Sequence, residues 1–302
     1  MATYYIDTND FTTATSIWTN SNLTVKAGDG FYQKDGFYRQ MSGGELLSST
    51  ICPECAIPCG GTISASGGQG IYYLNTDLGA DLGAVIIEFN PFSIPDGILA
   101  TYNSVNYNGV SSPLYGWLQG STGLATYIGA TGDDCGIVAG SPYDLDEYEY
   151  DGTTFVSLGT QANVSITSGQ IQFTGLGPGN TIMVIPKTSV SPSLLNLSFI
   201  GACSGTAFNI SVSCPAALTS FASSAVNVDS ASACSASPTQ TYYVAYVTGS
   251  EGVLGLYDLV FSDPNGQFKL GLGYYKTTAA GTDDWYQVNA NGVIIAFGTC
   301  PS

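Results

Sequence analysis

The chain has 302 residues, 44% of them hydrophobic, which is enough to bury a sizeable core and excludes a wholly disordered chain. Only 10% are charged, against roughly 25% in ordinary soluble domains, so small hydroxyl, amide and glycine residues must cover the surface. The formal charge is −17, and the six cations (Lys26, Lys34, Arg39, Lys187, Lys269, Lys276) form no cluster, which argues against a nucleic acid partner and an anionic membrane surface.

There is no histidine, which removes the commonest general base and a favoured zinc ligand. Glu, Lys, Gln and Arg are scarce while Thr, Val, Ile, Tyr and Phe are plentiful, a balance that predicts an all-β fold. The opening residues Met1 to Asp7 carry neither a basic nor an apolar leader region, and no stretch approaches the roughly 18 apolar residues of a membrane span. The expectation is synthesis in a cytosol with no membrane insertion.

Residues 1–60 read as a small β-meander module that returns at 241–302. Both copies open on a tyrosine pair, Tyr4-Tyr5 and Tyr242-Tyr243. Both continue to an apolar stretch closed by a polar turn, Ile17-Trp18-Thr19-Asn20 and Val260-Phe261-Ser262-Asp263, and then to Gly28-Asp29-Gly30-Phe31-Tyr32 and Gly271-Leu272-Gly273-Tyr274-Tyr275. Trp18 and Tyr32 are separated as Phe261 and Tyr275 are, and Tyr38 and Cys52 as Tyr286 and Cys300 are. Turn chemistry lies between the later marks, Ser42-Gly43-Gly44 and Asn289-Ala290-Asn291-Gly292. Shared spacing across aromatic and glycine marks predicts a duplicated module. A unit this small buries little surface and is expected to dock on the central domain, the other copy or another protein.

Cys52, Cys55 and Cys59 have metal-like spacing, with Cys300 as the candidate fourth ligand. Disulfides formed outside the cell, buried thiols, and a zinc or iron–sulfur site all remain open.

Residues 61–68 read as a flexible connection and 61–215 as a central β-sandwich or jelly roll. Strands are expected near 70–76, 83–90, 97–107, 123–129, 145–150, 154–158, 163–167, 170–174, 180–185, 194–200 and 207–213. In the acidic run 144–151, strand alternation places Glu147, Glu149 and Asp151 on a solvated face and Tyr148 and Tyr150 on a core face, with calcium binding as the sharper alternative. Tyr115, Trp117, Tyr143 and Tyr148 fall in or beside long loops, where their rings can stack on a glycan. Cys203 and Cys214 flank one hairpin and are candidates to bridge each other. Residues 216–240 read as a linker, or one short helix around 216–225. With no serine-nucleophile elbow and no carboxylate pair singled out, no enzyme activity and no cofactor is expected.

Tyr4-Tyr5-Ile6-Asp7, Thr15-Ser16-Ile17-Trp18-Thr19-Asn20, Asp29-Gly30-Phe31-Tyr32 and Cys52-Pro53-Glu54-Cys55 resemble repeated modules in structural proteins of tailed phages. The segments 83–97, 134–136, 142–152 and 203–206 resemble β-sandwich domains of the same kind of protein. The resemblance covers most of the chain and implies a virion structural protein of tail fibre, baseplate, head fibre or capsid decoration type, made in the host cytoplasm and exposed on the released particle. It also implies contacts with other virion proteins, a homo-oligomer (trimer or ring) and, alternatively, lectin-like binding of a host surface glycan. Trp18, Phe31, Tyr32, Tyr274, Tyr275 and Trp285 are the expected assembly anchors.

Overall fold

The computed structural model describes residues 3–11, 13–34, 37–48, 50–51, 56–92, 96–107, 115–117, 142–165, 172–174, 181–201, 205–280 and 283–301. The described residues are all-β apart from one short helix. The N-terminal unit contains β1 (Tyr5–Ile6), β2 (Ile17–Trp18), β3 (Gly30–Lys34), β4 (Phe37–Ser42), β5 (Glu45–Leu46) and β6 (Thr50–Ile51). The central unit contains β7 (Ile57–Pro58), β8 (Thr62–Ser66), β9 (Gly70–Asp77), β10 (Gly83–Asn90), β11 (Asp96–Tyr102), β12 (Val105–Tyr107), β13 (Tyr115–Trp117), β14 (Pro142–Tyr150), β15 (Phe155–Ser165), β16 (Gln172–Thr174), β17 (Thr181–Lys187), β18 (Leu194–Gly201) and β19 (Ala207–Val212). The C-terminal unit contains β20 (Thr219–Ser223), α1 (Ser230–Ser235), β21 (Gln240–Ala245), β22 (Leu259–Phe261), β23 (Gly273–Ala280), β24 (Asp283–Val288) and β25 (Ile294–Gly298). No helix among the described residues is long and apolar enough to cross a membrane.

The central unit is a sandwich. One sheet runs β17-β10-β19-β8 and the other β13-β16-β11-β18-β9-β14-β15, with β12 and β7 on its margins. Period-two alternation sends Val85, Ile87 and Phe89 of β10, Met183 and Ile185 of β17, and Phe208 and Ile210 of β19 against Tyr72 and Leu74 of β9, Ile98 and Ala100 of β11, and Leu197 and Phe199 of β18. Phe89, Phe199 and Phe208 meet at its centre, with ring centroids 4.9–5.5 Å apart.

Several expected boundaries move, each for a physical reason. The supposed flexible connection at 61–68 contains β8, an edge strand paired with β19, because Ile63 alternates with small hydroxyl residues and is buried. The expected strand 97–107 is a hairpin of β11 and β12, turned at Asn103 and Ser104 with φ of 50° and 61°, the paired left-handed values of a tight hairpin turn. The strands expected at 154–158 and 163–167 are one strand, β15. Its irregularities at Gly159 (φ 122°) and Asn163 (φ 59°) are absorbed as bulges against β14. The strand expected at 123–129 lies outside the described residues.

Residues 216–240 are no linker. β20 joins the C-terminal sheet, whose order is β22-β21-β20-β23-β24-β25, and the helix sits at 230–235 rather than 216–225. Asp229 caps it, its carboxylate accepting the Ser232 N–H at 2.7 Å. The C-terminal unit is seated on the outer face of the four-stranded sheet: Ala84 and Ile182 pack with Leu218, Ala245, Leu259, Phe261 and Val293. At this junction Ala84 and Ala216 exchange backbone hydrogen bonds of 2.8 and 3.1 Å. The approach is so close that a Cβ on neighbouring Gly83 would lie 2.5 Å from the Ala216 backbone.

The scarce cations act largely as internal ties. Lys26 donates to Gly44 O, Lys187 to Asp81 O and Ser189 O, Lys276 to Cys234 O, and Arg39 to the carbonyls of Phe11, Ala14, Leu46 and Leu47. Committed to main-chain carbonyls in separate parts of the fold, they build no basic surface.

Candidate assembly surface

The terminal units repeat bond for bond. Trp18 bridges Lys26 as Phe261 bridges Lys269. Ala27 N–H donates to Ile17 O as Leu270 N–H does to Val260 O, and Leu46 N–H to Thr15 O as Ile294 N–H does to Asp258 O. The side chain of Asn20 accepts the N–H groups of Thr24 and Val25; Asp263 accepts those of Gln267 and Phe268. The hydroxyl of Tyr32 donates to Gly28 O at 2.7 Å and that of Tyr275 to Gly271 O at 2.8 Å, so each Gly-x-Gly turn is latched by the tyrosine that follows it. Aromatic pairs repeat as well. Tyr4 meets Tyr32 edge-on at 5.3 Å as Tyr242 meets Tyr275 at 5.9 Å, and Phe31 meets Tyr38 at 6.1 Å as Tyr274 meets Trp285 at 5.6 Å.

One equivalence shifts. Tyr32 pairs across its hairpin with Arg39 and Tyr275 with Tyr286, so Arg39 matches Tyr286 and Tyr38 matches Trp285. The equal separations from Tyr38 and Tyr286 to the later cysteines misalign β4 and β24 by one residue. The cause is one extra residue in the Asn289–Gly292 turn: Met41 pairs with Leu46, but Val288 pairs with Ile294.

The copies differ in what they show to solvent. In the C-terminal copy, Ala245, Leu259 and Val293 form the face seated on the sandwich. Their counterparts in the N-terminal copy are Asp7, Ser16 and Glu45, which cannot form such an apolar contact. The N-terminal copy lies instead beside the outer face of the larger sheet, where Asn9 and Lys34 line a cleft of about 390 Å³ with Tyr73, Asn75, Glu147 and Glu149.

The expected anchors therefore divide. Trp18 (9% exposed) and Tyr275 (1%) are core residues and cannot dock on a partner as they stand. Tyr32, Tyr274 and Trp285 are half-buried, and Trp285 is laid over Gly298, where an added Cβ would fall 2.4 Å from its ring. Phe31 alone of the six is well exposed, at 70%. Tyr4, Tyr5 and Tyr38, marks of the repeat that were not among the expected anchors, are also exposed.

The glycan candidates are not gathered into one site. Tyr115 and Trp117 lie on β13 at one edge of the nine-stranded sheet, and Tyr143 and Tyr148 on β14, five strands away, about 24 Å at the usual strand spacing. Tyr148 is stacked on Tyr72 at 4.7 Å, so its ring is already used. The acidic run divides by face as alternation predicts: Tyr148 and Tyr150 pack on the core, while Glu147 and Glu149 line the outer cleft. Several of its carboxylates have protein partners. Glu147 accepts Tyr73 OH, Asp146 accepts the Thr160 hydroxyl, and Asp151 accepts the N–H groups of Thr153 and Thr154, which hold its pKa below the usual carboxylate range.

The cysteine candidates are corrected. Cys59 is bonded to Cys214 and Cys300 to Cys234. Cys59 and Cys300 thus belong to different disulfides and cannot be thiolate ligands of one metal ion, and the expected Cys203–Cys214 bridge does not form. Cys52, Cys55 and Cys203 lie outside the described residues. Among the described residues, no three His, Cys, Asp or Glu side chains form a metal-sized cluster.

No family model, no curated protein and no solved structure matches this chain.

Proposed function

We propose that the chain is a non-enzymatic structural component of a phage particle, of the tail fibre or baseplate, that assembles with other virion proteins through its N-terminal module. One observation carries this reading. Two copies of a module share a bonding pattern, yet one is seated on the sandwich by an apolar face, while the other has a polar counterpart of that face and exposes Phe31, Tyr4, Tyr5 and Tyr38. Clustered exposed aromatics suit a lasting protein contact, because such rings supply large contact area when buried. The disulfides fit a protein exposed outside the cell after assembly. Closed symmetry makes a trimer or ring the expected oligomer.

The test is immunogold imaging of purified particles with antibody to this chain, combined with light scattering of the recombinant protein. Labelling at the tail and a mass that is a multiple of the monomer are expected. Labelling confined to the head would move the protein to a head fibre or decoration role. A monomer absent from particles would overturn the proposal.

A further inference from the structure

In the C-terminal copy, β20 lies between β21 and β23 and is antiparallel to both. Phe221 of β20 is 8% exposed and packs against Tyr242 and Tyr286. Ser223 OH bonds Lys276 O and Tyr286 OH, Ser224 N–H donates to Lys276 O, and Asn227 and Tyr274 exchange backbone hydrogen bonds of 2.8 and 3.0 Å.

Among the described residues, the N-terminal copy has the two walls of this slot without the strand. Among the described residues β1 pairs only with β2, and β3 is an edge strand paired only with β4. Phe31 and Gln33 stand where Tyr274 and Lys276 bond the inserted segment. Tyr4, the counterpart of the half-buried Tyr242, is 47% exposed. The facing tyrosines of the two walls meet alike: the Tyr4–Tyr32 and Tyr242–Tyr275 ring distances differ by only 0.6 Å (5.9 minus 5.3). Arg39, in the place of Tyr286, ties the floor of the slot to carbonyls of its own module and is 6% exposed. The N-terminal copy thus holds its shape while two strand edges are unpaired among the described residues, and open edges are templates for another strand.

We propose that the β1–β3 slot accepts a β-strand from another polypeptide chain, antiparallel to both walls. The C-terminal copy defines the occupant's chemistry: an extended, uncharged segment of small and hydroxyl residues around one phenylalanine-sized side chain, as in Thr219-Ser220-Phe221-Ala222-Ser223. Main-chain bonds supply the affinity and the aromatic pocket the selectivity, the division of labour of strand addition. The inference deepens the assembly reading and rests on it for the identity of the partner as a neighbouring virion subunit.

The experiment adds a synthetic peptide of the sequence 218–224 to the intact chain and follows amide hydrogen exchange. Protection is expected at residues 4–6 and 30–34, with at least about tenfold weaker binding when the peptide's phenylalanine is replaced by alanine. No protection there, protection only of β21 and β23, or equal binding of both peptides would overturn the inference. If the peptide fails while the chain still oligomerises and labels particles, the slot is refuted and the assembly reading stands. If the peptide binds as expected while the chain is monomeric and absent from particles, the slot stands and the assembly reading falls.

Discussion

Arg39 and Tyr286 occupy one position in the two copies of the repeated module, each paired across its hairpin with the tyrosine that latches the glycine turn. Tyr286 closes a core against Phe221 and Ser223 of β20. Arg39 reaches the carbonyls of Phe11, Ala14, Leu46 and Leu47, and its guanidinium lies 5.9 Å from the Phe11 ring centre. One copy is completed by a strand and the other by a cation. Arg39→Met, which fills similar volume but donates nothing, should destabilise the N-terminal module by about 3 kcal/mol or more, through buried carbonyls left without a donor. Hydrogen exchange should rise across residues 3–51 and stay unchanged across 240–298.

Phe31 and Tyr275 test the division of the aromatic anchors. Phe31→Ser should shift the urea midpoint by no more than about 0.5 kcal/mol equivalent, because the ring is exposed, yet weaken self-association measured by sedimentation. Tyr275→Ala removes a buried ring and should cost about 3–5 kcal/mol. An equal loss of stability in both variants would contradict the assignment.

Gly44 and Gly292 are equivalent turn residues with φ of 81° and 75°. Alanine at either should cost about 1–2 kcal/mol for the left-handed backbone. Gly292→Ala should cost more, because its Cβ would lie 2.9 Å from Lys269 Cβ and 3.1 Å from Val260 O, whereas the Cβ at Gly44 meets the movable end of Lys26. Thermal melts of the two single variants give the order.

Asp258 is fully buried and accepts the N–H groups of Val247, Thr248, Gly249 and Gly255. Burial pushes its pKa above the ordinary aspartate value of 3.8 despite these four donors. A carboxyl raised in the folded state favours folding most when protonated, so its contribution is full below pH 3.8 and is lost as pH rises through the folded value. Asp258→Asn should remove that segment of the stability profile. It should also add a pH-independent loss where the new amide faces the Gly255 N–H. Urea midpoints of both proteins from acid to neutral pH would show a difference that narrows with rising pH; a constant difference would refute the assignment.

The disulfides close loops with sequence separations of 155 and 66 residues. In the chain-entropy account each contributes on the order of 4–5 kcal/mol. Cys59→Ser with Cys214→Ser should loosen the sandwich, and Cys234→Ser with Cys300→Ser the C-terminal module. Non-reducing peptide mapping and denaturation with and without reductant would check both pairs.

The all-β class was legible in composition, and the sandwich in alternations such as Val85, Ile87 and Phe89, because a strand buried on one face must place apolar side chains at every second residue. The duplicated module was legible because its latch needs glycine, glycine and tyrosine at fixed spacing. The strand at 219–223 was hidden: Thr-Ser-Phe-Ala-Ser has one large apolar residue, and its place depends on two distant walls. Likewise Ile63 alone could not announce β8, an edge strand defined by its pairing with β19.

By itself, the sequence determined what acts locally: strand periodicity, the turns, the repeat and the absence of histidine chemistry. Tertiary structure alone decided which cysteines pair, which aromatic anchors are core, and which copy packs an apolar face on the sandwich. Those outcomes depend on contacts between residues far apart in the chain, and a cysteine or tyrosine carries no local mark of the partner it will meet.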